Sequence, residues 1–244
     1  MLRRCKAVTL LTCILLAIAP ASATARAQSI DASAAYLSLI LTPAGALPPH
    51  FTASSIPVPS YGYEVSVRYG ERGGLNSSRN AGVGVEFGLG EERLGGVIGV
   101  AECAACDDAI MLGVNFSTAL GGPSALQRGP TLTARLAGSS NLGVALNGDF
   151  VVVATTVELP LLFATTISSG TTGPRLAIYA IPSGAHGVLT CDDECSASGF
   201  RFAFGAGVGL LRVGRIDATV GVNKVFIRNG ETLVGVSIAW RSVP

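Results

Sequence analysis

The chain has 244 residues, a formal net charge of +1, 49% apolar side chains, 31 glycines and 16 acids against 17 bases. So much apolar surface with so little charge argues against a disordered chain, which needs the opposite balance. It argues equally against a nucleic-acid binder, because no basic block survives beyond the N-terminus.

Residues 1–27 have the organisation of a secretory signal. Arg3, Arg4 and Lys6 make a positive start, an apolar stretch runs from Ala7 to about Ala19, and small residues follow Pro20. Cleavage fits best after Ala25-Arg26-Ala27, before Gln28, leaving residues 28–244 as the mature chain. Losing Arg3, Arg4, Lys6 and Arg26 takes the 17 bases to 13 against 16 acids, a mature charge of about −3. The alternative of a lipidated Cys13 is disfavoured by Thr12 before the cut. The apolar run is also short of the roughly 20 residues that a spanning helix needs, as is every other segment. A membrane location would therefore have to use strands.

Residues 28–60 form an N-terminal extension. A short strand is open at Ala34–Leu41, and Pro43, Pro48, Pro49, Pro57 and Pro59 then mark a loop or plug rather than a ladder strand. Residues 61–244 follow as one domain with the strand period of two. From Tyr61 to Gly70, Tyr61, Tyr63, Val65, Val67 and Tyr69 alternate with Gly62, Glu64, Ser66, Arg68 and Gly70. From Ala81 to Gly90, Val83, Val85, Phe87 and Leu89 alternate with glycines and Glu86.

Weaker alternation marks Leu94–Glu102, Ala109–Thr118, Thr131–Leu146, Phe150–Phe163, Pro174–Thr190 and Ile216–Phe226. Stronger patterns recur at Phe200–Leu210 and Val234–Arg241, giving ten predicted strands. Most exceed the five or six residues usual in soluble sheets, and they match the 9–11 of a tilted membrane strand. Glu91-Glu92-Arg93, Val213-Gly214-Arg215 and Asn229-Gly230 read as short turns, too short for crossover helices, so the expected topology is an antiparallel meander. Ten strands is the expected count within a range of 8–12. A twelve-strand version would add Ala34–Leu41 and split Thr131–Leu146 near Asn141.

The second face of these strands is mostly glycine, with widely spaced charges: Glu64, Arg68, Glu86, Arg135, Glu158, Arg201, Asp217 and Arg241. A water-facing sheet would carry many Lys and Thr. A narrow lumen needs small residues where strands crowd and charges of both signs that pair, and hydrocarbon forbids an open sheet edge. The predicted fold is therefore all-β, an antiparallel up-and-down transmembrane barrel. Its lumen charges would either neutralise one another in a filled interior, the expectation at this size, or line a thin path for ions. Tyr61, Tyr69, Phe226 and Trp240 near strand ends fit an interfacial aromatic girdle.

Ten strands put Cys103 to Cys106 and Cys191 to Cys195 on the outer side together, and outside the cytoplasm these four thiols should oxidise. The first expectation is local pairing, Cys103 with Cys106 and Cys191 with Cys195, with cross-loop pairing as the alternative. Their spacing also suits zinc, and Asp107, Asp108, Asp192, Asp193 and Glu194 beside them could hold Ca²⁺ against lipopolysaccharide phosphates. An oxidising compartment disfavours the zinc set, and exposed acids are more often simply solvated, so no metal or cofactor is expected. His50 and His186 are the only histidines; Ser183 lies near His186, but no carboxylate is placed to complete a triad, so no catalysis is expected.

From Thr156 onward three segments carry a resemblance. They are Val157-Glu158-Leu159-Pro160-Leu161-Leu162, Gly173-Pro174-Arg175-Leu176-Ala177-Ile178-Tyr179 and Gly205-Ala206-Gly207-Val208-Gly209. In this order and spacing they resemble the PorT-like outer-membrane β-barrel domain of Gram-negative bacteria. The resemblance covers about residues 156–241 and implies a barrel of roughly eight strands, without catalytic residues. One departure is the end, Trp240-Arg241-Ser242-Val243-Pro244, which lacks the terminal aromatic residue that assembly machinery reads in many barrels.

The function expected from residues and resemblance together is a non-enzymatic outer-membrane barrel that stabilises the envelope or presents loops outside. Its expected partners are outer-membrane lipid, lipopolysaccharide and the barrel assembly machinery, with no nucleic acid and the oligomeric state open. Rival readings are a narrow small-solute channel, a lipid-modifying barrel enzyme and a secreted soluble β-sandwich.

Overall fold

The computed structural model describes residues 62–72, 78–90, 92–103, 108–121, 131–146, 150–167, 173–191, 197–226 and 232–242. The signal, the 28–60 extension, Tyr61, His50, Cys106, Cys195, Asp107, Asp192, Asp193, Glu194 and Asn229-Gly230 lie outside these residues. All the described elements are strands. In chain order they are β1 (Tyr63–Arg72), β2 (Ser78–Leu89), β3 (Glu92–Cys103), β4 (Ala109–Gly121), β5 (Thr131–Ala145) and β6 (Phe150–Glu158). There follow β7 (Leu161–Thr166), β8 (Arg175–Cys191), β9 (Ala197–Val213), β10 (Ile216–Val225) and β11 (Thr232–Arg241).

Every strand pairs antiparallel with its neighbours, and β1 closes on β11, with Val65 opposite Trp240 and Tyr69 opposite Val236. No sheet edge remains, which is the condition for placing strands in hydrocarbon. β6 and β7 form a single stave. Glu158 faces Ser183 and Leu161 faces Ala180 without a change of register on β8, and the ladder to β5 continues likewise from Ala137 to Ala134. The barrel therefore has ten staves. β5 runs unbroken through Asn141.

The interruption inside the sixth stave has a covalent cause. Leu159 N–H donates to Pro182 O at 3.0 Å and Arg135 N–H donates to Pro160 O at 2.9 Å. In an antiparallel ladder each such pair would exchange two bonds, but neither proline has an N–H with which to return one. Two ladder bonds are thus missing side by side, on either edge of one stave, while the strand path is unchanged.

Two tight turns close hairpins at one end. Gly90 has φ +81° and Gly214 φ +64°, a conformation that side chains with a Cβ adopt at a cost. The first turn differs from expectation: Glu92 and Arg93 are not turn residues but the first two residues of β3, facing Thr118 and Ser117 of β4. The hydrophobic alternation begins only at Leu94, which is why the charged pair before it resembles a turn.

The period-two pattern sorts cleanly into two environments. Val67, Val83, Ile98, Val114, Val220, Val236 and Ile238 are exposed on the outside, while Glu64, Arg68, Glu86, Asn115, Glu158 and Asp217 are buried inside. This is the inverse of a soluble sheet packed on an apolar core. The interior does contain one apolar cluster, Leu162, Ala164, Ala177, Tyr179, Ile181 and Leu211, on the inner wall of β7, β8 and β9.

Candidate functional site: the barrel lumen

Inward positions of β1, β2 and β3 bring together three of the expected charges and one unexpected arginine. Glu86 lies between Arg68 Nη2 at 4.0 Å and Arg93 Nη1 at 3.9 Å, and Asn115 Nδ2 donates to its Oε1 at 3.0 Å. Arg68 Nε donates to Ser66 Oγ at 3.2 Å. Glu64 is directly opposite Glu86 on one side and Arg241 on the other. Like charges facing each other across a ladder repel. Here Arg68, Arg93 and Arg241 surround the two carboxylates.

Glycines make room for this network. A Cβ at Gly84 would collide with the Arg68 guanidinium, and one at Gly95 would stand 2.7 Å from Glu86 Cγ. Both glycines therefore occupy inward positions where a side chain from the neighbouring strand needs the space.

On the adjoining strands β4 and β5, Arg135 Nε donates to Ser117 Oγ at 3.2 Å and Nη2 to Ser117 O at 3.3 Å. Ser139 and Thr156 share a short hydroxyl contact beside buried Glu158 and Asn141. Between β10 and β11, Arg241 Nη2 donates to Asp217 Oδ1 at 2.6 Å. Charge-assisted bonds of this length are the stronger kind.

Seven of the eight expected lumen charges are thus buried inside the barrel: Glu64, Arg68, Glu86, Arg135, Glu158, Asp217 and Arg241. Arg201 lies on β9 opposite Ala185, and its side chain is outside the described set. Two lumen charges escaped the sequence reading. Arg93 was assigned to a turn, and Arg175, part of the Gly-Pro segment, is buried at the start of β8 with Nη2 donating to Ala164 O at 3.1 Å. The inward parity of Ala177 and Tyr179, extended back by two, would have placed Arg175. Among the described buried residues five arginines face four carboxylates.

Tyr179 bridges the wall from within. Its hydroxyl donates to Val220 O at 3.1 Å, reaching across β9 to β10, and a Cβ at either Gly207 or Gly221 would overlap the Tyr179 oxygen. These facing glycines are what lets the ring lie flat against the sheet.

Ser183 and His186 do not form a pair. Ser183 Oγ donates to Ala203 O at 3.2 Å, whereas His186 lies between the buried inward residues Ala185 and Gly187 and is exposed outside. The cysteine strands β3 and β8 end at the same end of the barrel, Cys103 opposite Ser78 and Cys191 opposite Phe150. Three staves of about 4.8 Å spacing intervene between the two strands, more than the roughly 7 Å that a disulfide spans between Cα atoms; the side chains of all four cysteines lie outside the described set. Among the described residues no group of three metal-ligating side chains occurs. Of the expected girdle, Tyr69, Phe226 and Trp240 are exposed on the outside, with Tyr63 at 6.0 Å from Trp240 and the Arg215 guanidinium 5.8 Å from the Trp240 ring.

No protein-family model matches the sequence, and no curated protein matches it. Solved structures to which the chain is similar include the N-terminal β-barrel domain of Pseudomonas aeruginosa OprF, at 9% identity and TM-score 0.33 over 74% of this chain and 96% of that one. Another is the Yersinia pestis outer membrane protein Ail, at 11% identity and TM-score 0.35 over 74% and 99%. A third is the β domain of the Bordetella autotransporter BrkA, at 12% identity and TM-score 0.38 over 75% and 99%.

Proposed function

We propose that the chain is an outer-membrane β-barrel with a filled lumen, whose role is structural or loop-presenting rather than catalytic. One observation carries this reading: the outside carries a belt of exposed valine, isoleucine, leucine and phenylalanine bordered by exposed charges, while Glu64, Arg68, Glu86, Arg93, Asp217 and Arg241 are sealed inside with ion pairs among them. A water-soluble protein would pay heavily for such a surface, whereas in lipid it is the stable arrangement. Only outer-membrane-type barrels meet the backbone requirement in hydrocarbon with strands alone. The resemblance of the segments between Val157 and Gly209 to the PorT-like domain supports the same reading.

With ten staves the start of β1, the end of β11, Gly90 and Gly214 face the periplasm, and the ends of β3 and β8 face outward. Lipid and lipopolysaccharide surround the belt, and the barrel assembly machinery inserts it. Interiors of small barrels can be filled by their own side chains. Here Arg68, Arg93, Arg135, Arg175 and Tyr179 supply the bulk. Planar bilayers test the filled lumen: the purified mature protein should give no discrete conductance steps. Reproducible steps would instead assign the lumen to small-solute passage.

A further inference from the structure

The outward belt is not the same height all round. On β1 it consists of Tyr63, Val65, Val67 and Tyr69 and is closed by exposed Glu71. The next staves close at corresponding places: Arg79 on β2 faces both Glu71 and Glu102, Arg79 Nε lies 3.6 Å from Glu71 Oε1, and Tyr69 donates to Glu71 Oε2 at 3.1 Å. On β10 exposed Lys224 interrupts the run after Val220 and Val222, with exposed Phe226 of the girdle beyond it. Among the described residues, the six residue steps from Tyr63 to Tyr69, at about 3.3 Å each, give β1 a belt of roughly 20 Å along the strand, or on the order of 15 Å of height at a tilt near 40°.

The sixth stave, diametrically opposite β1 in the ring of ten, is different. Its outward positions run Val151, Val153, Thr155, Val157, Leu159, Leu161, Phe163, Thr165 and Ile167 without a charge. On β5 the outward positions from Leu132 to Leu146 are also uncharged. The sixteen residue steps from Val151 to Ile167 correspond to about 50 Å along the strand, on the order of 40 Å of height. The usual band is about 25 Å, so one side exceeds it and the other falls short. Tilting the barrel moves a belt up or down but does not lengthen its short side.

We infer that the face formed by β10, β11, β1 and β2 fits a locally thinned bilayer, and that its preferred neighbours are phospholipids with short acyl chains. The inference rests on the membrane reading above. A belt shorter than the hydrocarbon is accommodated by thinning, at a cost that grows with each ångström of mismatch. The Glu71, Arg79, Glu102 and Lys224 side chains fix where headgroups must come down to meet it.

The chain's single tryptophan, Trp240, lies outward on this short face and serves as the probe. The full mature protein is folded into vesicles of mixed dilauroyl and dioleoyl phosphatidylcholine carrying a trace of dansyl-headgroup lipid, with either lauroyl or oleoyl chains. Energy transfer from Trp240 to the short-chain acceptor should exceed transfer to the long-chain one by about twofold or more. A Trp240→Phe, Val157→Trp protein, with its probe on the tall face, should give a ratio near or below one. Glu71→Leu with Arg79→Leu, keeping Trp240, extends the belt and should bring the short-face ratio to about one. Equal ratios from the two faces, or a ratio unmoved by the double substitution, overturn the inference. So does weak transfer to both acceptors from Trp240 with strong transfer from Val157→Trp, which would mean that another protein copy covers the short face. Absence of transfer from both probes would instead strike the membrane reading itself.

Discussion

Arg241 donates to Asp217 at 2.6 Å with both side chains sealed from water, tying β11 to β10 next to the seam where β11 closes on β1. Each charge has lost its hydration, so the pair is of value only as a pair. Asp217→Ala should lower unfolding free energy by about 3 kcal/mol, because it removes the carboxylate hydrogen-bonded to the buried Arg241 guanidinium and leaves Arg241 with only Glu64 opposite it. Asp217→Leu combined with Arg241→Met should cost far less than the single change. Urea titration of protein folded in lipid vesicles measures both. Equal losses for the single and double variants would show that the charge is not what matters there.

Val85 and Val236 point outward from the middle of β2 and β11, each facing another outward valine across the ladder. Arginine at either position should cost roughly 2–4 kcal/mol in a bilayer. The reading is the mobility difference between unheated and boiled samples on gels, together with the urea midpoint. Wild-type behaviour for both variants would remove these positions from the hydrocarbon.

Gly221→Ala should destabilise by about 2 kcal/mol, since the added methyl overlaps the Tyr179 hydroxyl and comes within 2.9 Å of Ala206 O. Tyr179→Ala in the same chain clears the first obstacle but not the second. The double variant should therefore lose less than the sum of the two single changes by about 1 kcal/mol. Strict additivity would mean that the ring and the glycine do not constrain each other.

Pro182→Ala gives the ladder back an amide opposite Leu159 O. It should raise stability by about 1 kcal/mol and protect the new amide from hydrogen exchange. If residue 182 exchanged as fast as a surface loop amide in the alanine variant, β6 and β8 would not be in register there.

Much of this architecture is visible in the residue order because lipid and lumen demand opposite chemistry from successive residues. The alternation read over Tyr61 to Gly70 and Phe200 to Leu210 is followed by β1 from Tyr63 onward and by β9. The failures occur where a residue's role is set by its neighbours in space. Arg93 precedes the first apolar residue of its strand and so resembles a turn residue, although Glu86 draws it inside. Pro160 and Pro182 remove bonds on facing strands, a relationship that only the register reveals. The tapering belt was likewise hidden, because it depends on which staves are opposite one another in the closed ring. Tyr179 gave no signal of its own: its two glycines are distant in sequence and resemble all the others.

Contact between the alternating apolar face and hydrocarbon is tested most directly by fractionation. Cells expressing the full chain can be lysed and their envelopes separated by density into inner and outer membranes, each then washed with alkaline carbonate. The chain should remain in the washed outer-membrane pellet and migrate faster unheated than boiled. Recovery in the soluble fraction, with the same mobility before and after boiling, would mean that the apolar face does not meet lipid.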